Sequence, residues 1–488
     1  MNIYALAIGL IVLALLTVSI SQIRKVKTKA DYLVAGRSLP AYVLVATLLS
    51  SWVGAGSLFA GAENAFHNGF AALWQPAGGW FGLLIIYFVA PRARKFAQFT
   101  IPDLLETRYG TAARVLGTIA ILCAYTAIAS YQLRAGGDIM HLIFPSLDKT
   151  SGTYIIAAFV IVFTALAGMA SVAYMDVVIG ILITSVGFLS VPILLHRVGG
   201  WAGLHAALPA TRFSLLGEFG MRNGADEGAK LALIRALEYF FPTFLLMIGN
   251  QSMYQKFFSA KSEKDARLAV AGWFVGTGIL ETLIVSLAVF GSALYLGLPR
   301  TELNPREIIP YTARHALPEL IGALLMGAVF AKVISTANNY LFSPATNLVN
   351  DVYIRFLNRD ATNKNILLVS RALVVALGLW ALYQGVHLES VLAKAMYAYT
   401  IYSAAITPVV MAAFFWKRAT AAGAVVSIFC GTAMTIFWDV GKSLLPRALV
   451  DRDAIFPALI VSLLALIAVS LATRPPRKEQ LAPFFDPA

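Results

Sequence analysis

The 488-residue chain is 59% hydrophobic and only 13% charged, and it carries a formal net charge of +13. A water-soluble core cannot bury so much apolar surface, so this composition excludes an ordinary soluble domain and predicts a protein of the lipid bilayer. The positive charge is expected to mark loop orientation and contact with anionic headgroups, and no nucleic-acid partner is expected.

Hydrophobic stretches recur along the whole chain, and most are long enough to cross a bilayer as a helix. They predict an all-α polytopic membrane protein with about 13 transmembrane helices. No linker or low-complexity tract divides the chain, so residues 1–488 are interpreted as a single transmembrane domain. In chain order the predicted spans lie near residues 3–21, 41–63, 71–90, 112–143, 151–170, 172–195, 236–258, 266–296, 319–349, 365–385, 388–415, 419–440 and 454–473.

The basic residues predict the orientation of the chain in the membrane. Arg24 and three nearby lysines follow the first span directly, which indicates a retained helix with its N-terminus outside. Later basic clusters, including the one from Lys256 to Arg267, fall in alternate loops and place the C-terminus in the cytoplasm. We therefore expect a multi-pass protein of the inner (plasma) membrane.

The local structure of two hydrophilic segments can also be predicted. The stretch 199–237 is expected to be an outside loop that contains a short amphipathic helix at Glu227–Leu237. The proline-containing tail 474–488 is expected to be a loosely ordered cytoplasmic end.

Two of the predicted spans are interrupted at mid-membrane depth. The second contains the run from Ser50 to Ser57, with two glycines and three serines, and the seventh contains Pro242 and Gly249-Asn250-Gln251. A helix break in lipid leaves backbone groups unpaired, so it persists only where it lines a cavity or binds something. Breaks five helices apart predict an inverted-repeat transporter with its site between them. The alternative is that glycine and serine merely let helices pack closely.

A series of short motifs resembles, in order, the sequence motifs of the sodium/solute symporter family. These motifs span roughly residues 30–430, and their order along the chain makes the resemblance specific. They are Asp31-Tyr-Leu-Val-Ala-Gly-Arg-Ser-Leu-Pro40, Phe99-Thr-Ile-Pro-Asp103 with Glu106 and Arg108-Tyr109, Asn250-Gln-Ser-Met-Tyr-Gln-Lys256 with Ser259-Ala-Lys-Ser262, Ser335-Thr-Ala337, Asn350-Asp-Val-Tyr353, and Phe414-Phe-Trp-Lys-Arg-Ala-Thr420.

The resemblance implies sodium-driven uptake by a LeuT-type fold with two inverted five-helix repeats. The repeats are expected at 41–195 and 236–415. One extra helix at 3–21 precedes them, and two extra helices at 419–473 follow, before the tail 474–488.

The resemblance also implies a main sodium site. Its carbonyl ligands are expected at Ser50, Val53 and Lys332, and its hydroxyl ligands at Ser335 and Thr336. Carbonyls of unwound helices and hydroxyls are the hard oxygen ligands that such transporters offer to sodium.

Lys332 departs from the family, which has a small apolar residue at this position. A lysine in a membrane span needs a partner or a water-filled cavity. Its carbonyl could bind sodium while the ammonium points elsewhere, for example toward Asp176 or a polar cavity. Alternatively, the ammonium could replace the cation and make transport proton-coupled or sodium-independent.

A second sodium site, present in some relatives, is implied at Asp176. It would be completed by Ser335, Asn338 and Asn339, where amides stand in place of a family hydroxyl pair. The alternative is that Asp176 lies near the cytoplasmic interface and is solvated there.

Four residues are candidates for binding the solute. Asn250 matches the family's substrate-binding asparagine, and Ser57 and Gln75 occupy places where sugar-carrying relatives contact hydroxyls. Pro76 stands where a sugar-binding glutamate would be, which weakens the sugar interpretation. Arg134 could bind a substrate carboxylate bidentately, or it could simply pair with Asp138 at i,i+4.

These residues together predict a secondary active transporter, a sodium-coupled symporter of a small organic solute that works by alternating access. A carboxylate or zwitterion is favoured over a sugar. The alternatives are a sodium-independent or proton-coupled carrier with Lys332 as its cation, and a transporter-like sensor. No catalytic constellation supports an enzyme. Sodium is the expected coupling ion and no organic cofactor is expected; the expected partners are the solute and the bilayer, and no oligomeric state is predicted.

Overall fold

A computed structural model of the protein describes residues 2–23, 28–96, 99–166, 168–222, 225–441 and 452–485, together with Leu444, Pro446 and Leu449. Almost all of this part is helical, because in lipid a helix satisfies its own backbone hydrogen bonds. In chain order the helices are α1 Ile3–Ile23, α2 Lys29–Val34, α3 Ala41–Trp52, α4 Ala62–Asn68, α5 Trp74–Lys95, α6 Ile101–Tyr109, α7 Thr111–Ile143, α8 Lys149–Leu166, α9 Met169–Arg197, α10 Gly200–Ala207, α11 Ala229–Gly249, α12 Gln251–Ser259, α13 Glu263–Tyr295, α14 Ile308–His315, α15 Glu319–Asn347, α16 Asn363–Val386, α17 Val391–Ala405, α18 Thr407–Phe415, α19 Ala421–Val440, α20 Ile455–Ala472 and α21 Lys478–Phe485.

Short irregular segments join these helices. Two strands of two residues each, Met221–Arg222 and Ala225–Asp226, pair antiparallel in the loop before α11. Two π-helical stretches, Gly56–Gly61 and Leu348–Leu357, lead into α4 and continue α15. The 3-10 turns are Ala35–Arg37, Gly69–Leu73, Ala210–Phe213 and Pro305–Glu307.

The predicted membrane spans coincide with these helices. In the described part of the chain, 12 helical stretches are long and apolar enough to cross a membrane, and α3 is a shorter apolar helix. Three predicted spans each comprise two helices in sequence: α3 with α4, α11 with α12, and α17 with α18. The polytopic all-α architecture is therefore confirmed.

Three local expectations are wrong. No separate amphipathic helix exists at Glu227–Leu237, because the residues from Ala229 onward begin the long helix α11. Pro242 does not interrupt α11, and its carbonyl accepts a hydrogen bond from Ser403 Oγ at 2.8 Å. The tail is not loose over Lys478–Phe485, since these residues form α21 and the centroid of the Phe484 ring lies 4.5 Å from that of Phe96.

An ion-pair network ties together two of the motifs seen in the sequence. Thr100 Oγ1, at the start of α6, donates a 2.9 Å hydrogen bond to Asp351, in the π-helical extension of α15. Arg114 on α7 pairs with the same carboxylate at 2.7 Å and with Asp103 at 3.1 Å. These contacts hold α6, α7 and α15 together at one end of the helix bundle.

Glu106 on α6 belongs to this network and lies outside the candidate membrane spans. It binds Arg114, and it also binds Arg355 at 2.9 Å. Burial by itself raises the pKa of Glu106, but hydrogen bonds from Thr111, Arg114 and Arg355 outweigh burial and hold the pKa below its usual value.

Candidate ion and solute site

The first helix break lies directly after α3. Val53 has an extended backbone (φ −82°, ψ 111°), and the chain resumes a helical path at Gly56–Gly61. The amide of Ala55 donates a 2.8 Å hydrogen bond to the Gln132 side chain on α7. A neighbouring helix thus satisfies a backbone group that the break would otherwise leave unpaired in the membrane.

The second break is centred on Asn250, between α11 and α12, where the backbone is again extended (φ −67°, ψ 115°). The amides of Gln251 and Ser252 donate to the hydroxyls of Tyr402 and Tyr125, both at 2.9 Å. The Asn250 side chain caps α12, accepts a 2.7 Å hydrogen bond from Tyr125 and donates to Tyr340. The structure therefore places Asn250 inside a tyrosine cluster that supports the break.

The residues expected at the main sodium site meet between the first break and α15. Thr336 Oγ1 lies 2.9 Å from the carbonyl oxygen of Ser50, 3.2 Å from that of Val53 and 2.9 Å from that of Lys332. Ser335 Oγ lies 2.9 Å from Ser50 Oγ. All five residues are buried. One hydroxyl carries one proton, so it cannot satisfy three carbonyls at once, and the cluster is rich in unshared acceptor oxygens.

Close approach to this cluster depends on a glycine. A Cβ built at Gly54 would lie 2.6 Å from Thr336 Oγ1. Real side chains do not tolerate such a contact, so glycine here lets the unwound segment reach α15.

The Lys332 ammonium does not occupy the oxygen cluster. Its side chain is fully buried, and Nζ has no hydrogen-bond partner among the described residues. Its charge interacts at longer range with Asp176 and then with Glu281. The carbonyl of Lys332 thus faces the cluster, while its ammonium does not bind these oxygens.

The residues expected at a second sodium site already use their oxygens within the protein. Asp176 is fully buried and therefore not solvated, and its carboxylate accepts hydrogen bonds from Ser335 and, at 2.6 Å, from Thr47. Asn338 Oδ1 accepts from a threonine at 2.7 Å, and Asn339 Oδ1 accepts from a lysine at 2.9 Å.

That lysine is Lys256, which the sequence analysis placed in a cytoplasmic loop. This placement is wrong, because Lys256 lies on α12 and is fully buried. Its Nζ donates to Ser252 and to Asn339 Oδ1, and its charge interacts with Asp176. A lysine ammonium of the protein therefore binds one of the residues expected at the second site and interacts with another.

A narrow cavity lies beside the first break. It is too narrow for a solute, because only about 20 Å³ of it is open to water. Helices must therefore move apart before a solute can enter. Of the four solute candidates, Ser57 and Gln75 line this cavity, whereas Arg134 and Asn250 do not. Its walls also include Trp52, Gly61, Ala72, Pro76, Thr243, Glu281, Val285 and Tyr399.

Arg134 lies instead in an ion-pair network. Its Nε is 3.6 Å from the carboxylate of Asp138, which also pairs with Arg306 at 3.0 Å. Asp138 is fully buried, and two arginines provide its compensating charge.

Glu281, a carboxylate in the middle of α13, is not among the site residues predicted from the sequence. It is 4% exposed, and its Oε1 accepts a 2.7 Å hydrogen bond from Ser57. An ionisable residue inside a hydrophobic span indicates a functional role, as it does for Lys332. The sequence therefore contained the signal that identifies Glu281.

The proteins that this chain resembles are sodium-coupled transporters. The model of the sodium:solute symporter family matches residues 32–431. The high-affinity proline transporter PutP of Bacillus subtilis is 26% identical over 480 residues, covering 95% of this chain and 97% of that protein. The sodium/proline symporter of Staphylococcus aureus is 26% identical over 473 residues, covering 92% and 88%.

Among solved structures, a substrate-bound, outward-open Na⁺-coupled sialic acid symporter resembles this chain with a TM-score of 0.81. Its sequence is 17% identical, and the likeness covers 97% of this chain and 98% of that one. At this identity the likeness concerns the fold, and it confirms the expected LeuT-type architecture.

Proposed function

The chain belongs to the sodium:solute symporter family, and on this basis we propose that one sodium ion binds at the first helix break and one small zwitterionic solute binds in the cavity beside it. Membership in the family makes the protein a membrane transporter and not an enzyme, and its activity is the sodium-coupled symport of a small organic solute.

The sodium ion binds at the cluster around Thr336. The observation that carries this assignment is the convergence of three carbonyl oxygens on one hydroxyl, within 3.2 Å. The carbonyls of Ser50, Val53 and Lys332 and the hydroxyls of Ser335 and Thr336 are the ligands. The position of the Lys332 ammonium, away from these oxygens, supports the carbonyl role of Lys332 over replacement of the ion.

The transporter uses a single sodium ion. Lys256 supplies the positive charge at the second site, where its ammonium binds Asn339 and lies near Asp176. A second sodium would need oxygens that Thr47, Ser335 and Lys256 already engage.

The solute binds in the cavity lined by Ser57 and Gln75. Its zwitterionic character is supported by two relatives that are proline transporters. Alternating access would open this cavity to each side in turn, with the repeats at 41–195 and 236–415 moving against one another. The N-terminus lies outside and the C-terminus in the cytoplasm of the plasma membrane, as the basic loops indicate.

Counterflow and uptake in proteoliposomes test this proposal. Labelled L-proline should enter when an inward sodium gradient is imposed, and a potassium gradient of the same size should not drive it. Lys332→Ala should keep sodium dependence, because alanine retains the carbonyl ligand. Uptake driven by a proton gradient without sodium would contradict the proposal and favour Lys332 as the coupling cation.

A further inference from the structure

The carboxylate of Glu281 faces the solute cavity without a direct cationic partner. Its neighbours there are neutral donors: Ser57 Oγ at 2.7 Å and the Trp52 indole. Among the described residues no salt bridge to Glu281 forms, and the Lys332 ammonium, which has no hydrogen-bond partner there, acts on Glu281 only at longer range. A buried carboxylate in this situation is costly unless something else compensates its charge.

The rest of the cavity wall also offers groups that suit a cation. Gln75 is 5% exposed, and its side-chain carbonyl oxygen has no hydrogen-bond partner among the described residues. The rings of Trp52 and Tyr399 are part of the wall, and aromatic faces attract ammonium groups. None of the described residues that line the cavity is a lysine, arginine or histidine.

From this set we infer that Glu281 binds a positively charged nitrogen of the solute, with the Gln75 carbonyl and the Trp52 and Tyr399 rings completing the site. A carboxylate, an amide oxygen and two aromatic rings are complementary to an ammonium group and repel an anion. The selected class is therefore amines, amino acids and betaines, and a carboxylate without a cationic nitrogen is excluded. This inference rests on the proposed solute cavity and names the chemistry that the cavity recognises.

The location of Arg134 outside the cavity agrees with this inference. The basic residue that pointed to an anionic solute is engaged with Asp138, outside the cavity wall. Among the described residues of the wall, Glu281 is thus the one carboxylic acid and none is basic.

The test compares two probes of nearly equal shape. L-Proline carries a ring ammonium, and (S)-tetrahydrofuran-2-carboxylate replaces it with a neutral ether oxygen. Binding of each probe to the purified full-length protein is measured by titration calorimetry at saturating sodium. The wild type is expected to prefer proline by about ten-fold or more, the scale of a hydrogen bond to a charged group.

Glu281→Gln should reduce that preference by about ten-fold or more, while Glu281→Asp, which keeps the charge, should retain part of it. Glu238→Gln is the matched control, because Glu238 is also a buried carboxylate of a membrane helix but does not line the cavity. Its preference for proline should equal that of the wild type. If Glu281→Gln does not fold, the Glu281→Asp and wild-type titrations still decide the matter.

The inference is overturned if the wild type binds both probes equally, or if Glu281→Gln keeps the preference. If the wild type binds neither probe, glycine betaine, choline and ethanolamine are titrated against their uncharged isosteres. Failure of every ammonium probe also overturns the inference. The apparent sodium affinity is measured in parallel. An altered sodium affinity in Glu281→Gln with an unchanged probe preference would place Glu281 in ion binding and reject a role in solute recognition.

Discussion

Replacing Thr336 with valine removes the hydroxyl at the centre of the oxygen cluster and keeps the shape of the side chain. In the sodium-bound protein, the loss of an oxygen interaction with a charge costs about 1.5–3 kcal/mol. In the empty protein the same hydroxyl makes an ordinary hydrogen bond to one of three carbonyls within 3.2 Å, worth about 0.5–1.5 kcal/mol. The difference is about 1–1.5 kcal/mol, so the apparent sodium affinity should fall about five- to twelve-fold.

The assay is the sodium concentration that gives half-maximal solute uptake in proteoliposomes. Thr336→Ser should restore most of the affinity because it returns the hydroxyl. Thr126→Val is the matched control, since among the described residues the Thr126 hydroxyl hydrogen-bonds to carbonyls of its own helix, at 2.9 and 3.4 Å. An unchanged half-maximal concentration in Thr336→Val, or an equal change in Thr126→Val, would refute the assigned site.

Three further perturbations probe other parts of the structure. Gly54→Ala should destabilise the protein by about 1–3 kcal/mol and weaken sodium binding, because its Cβ would meet Thr336 at 2.6 Å. Gly278→Ala, whose Cβ meets nothing within 4 Å, should do neither in thermal-unfolding and uptake assays. Lys256→Gln should raise the Hill coefficient for sodium above the wild-type value of about one. The coefficient is measured from sodium-dependent thermal stabilisation. Equal Hill coefficients in the variant and the wild type would rule out Lys256 as the internal cation. The depressed pKa of Glu106 contributes stability at neutral pH. This stability is lost as the pH falls below the ordinary value of 4.5 and through the folded-state pKa. The thermal unfolding temperature of Glu106→Gln should therefore fall less on acidification than that of the wild type.

The sequence predicted where helices run and where two of them break. Hydrophobic length alone locates the spans, because a lipid-embedded backbone has no partner except its own helix. It also identified the unwound segment at Gly54, since glycines and serines at that depth are unfavourable in an uninterrupted helix. It misjudged Pro242, because whether a proline ends a membrane helix depends on the helices that pack around it.

The proposed sodium ligands could be predicted from the sequence only through the family resemblance. The carbonyls of Ser50 and Val53 come from one helix and the hydroxyl of Thr336 from another, 286 and 283 residues away. Composition and periodicity do not reveal that such distant segments touch. The ordered motifs predicted this contact, because they identify a family whose fold brings the two segments together.

What only the tertiary structure decided is the partner of each buried charge. The sequence by itself determined that Lys332 and Arg134 lie in membrane helices, but it left open whether each charge faced an ion, a solute or another residue. Folding pairs Arg134 with Asp138, buries Lys256 against Asn339, and brings Glu281 to Ser57 across 224 residues of sequence. In a low-dielectric interior the role of a charge depends on its nearest neighbours in space, and helix packing alone determines those neighbours.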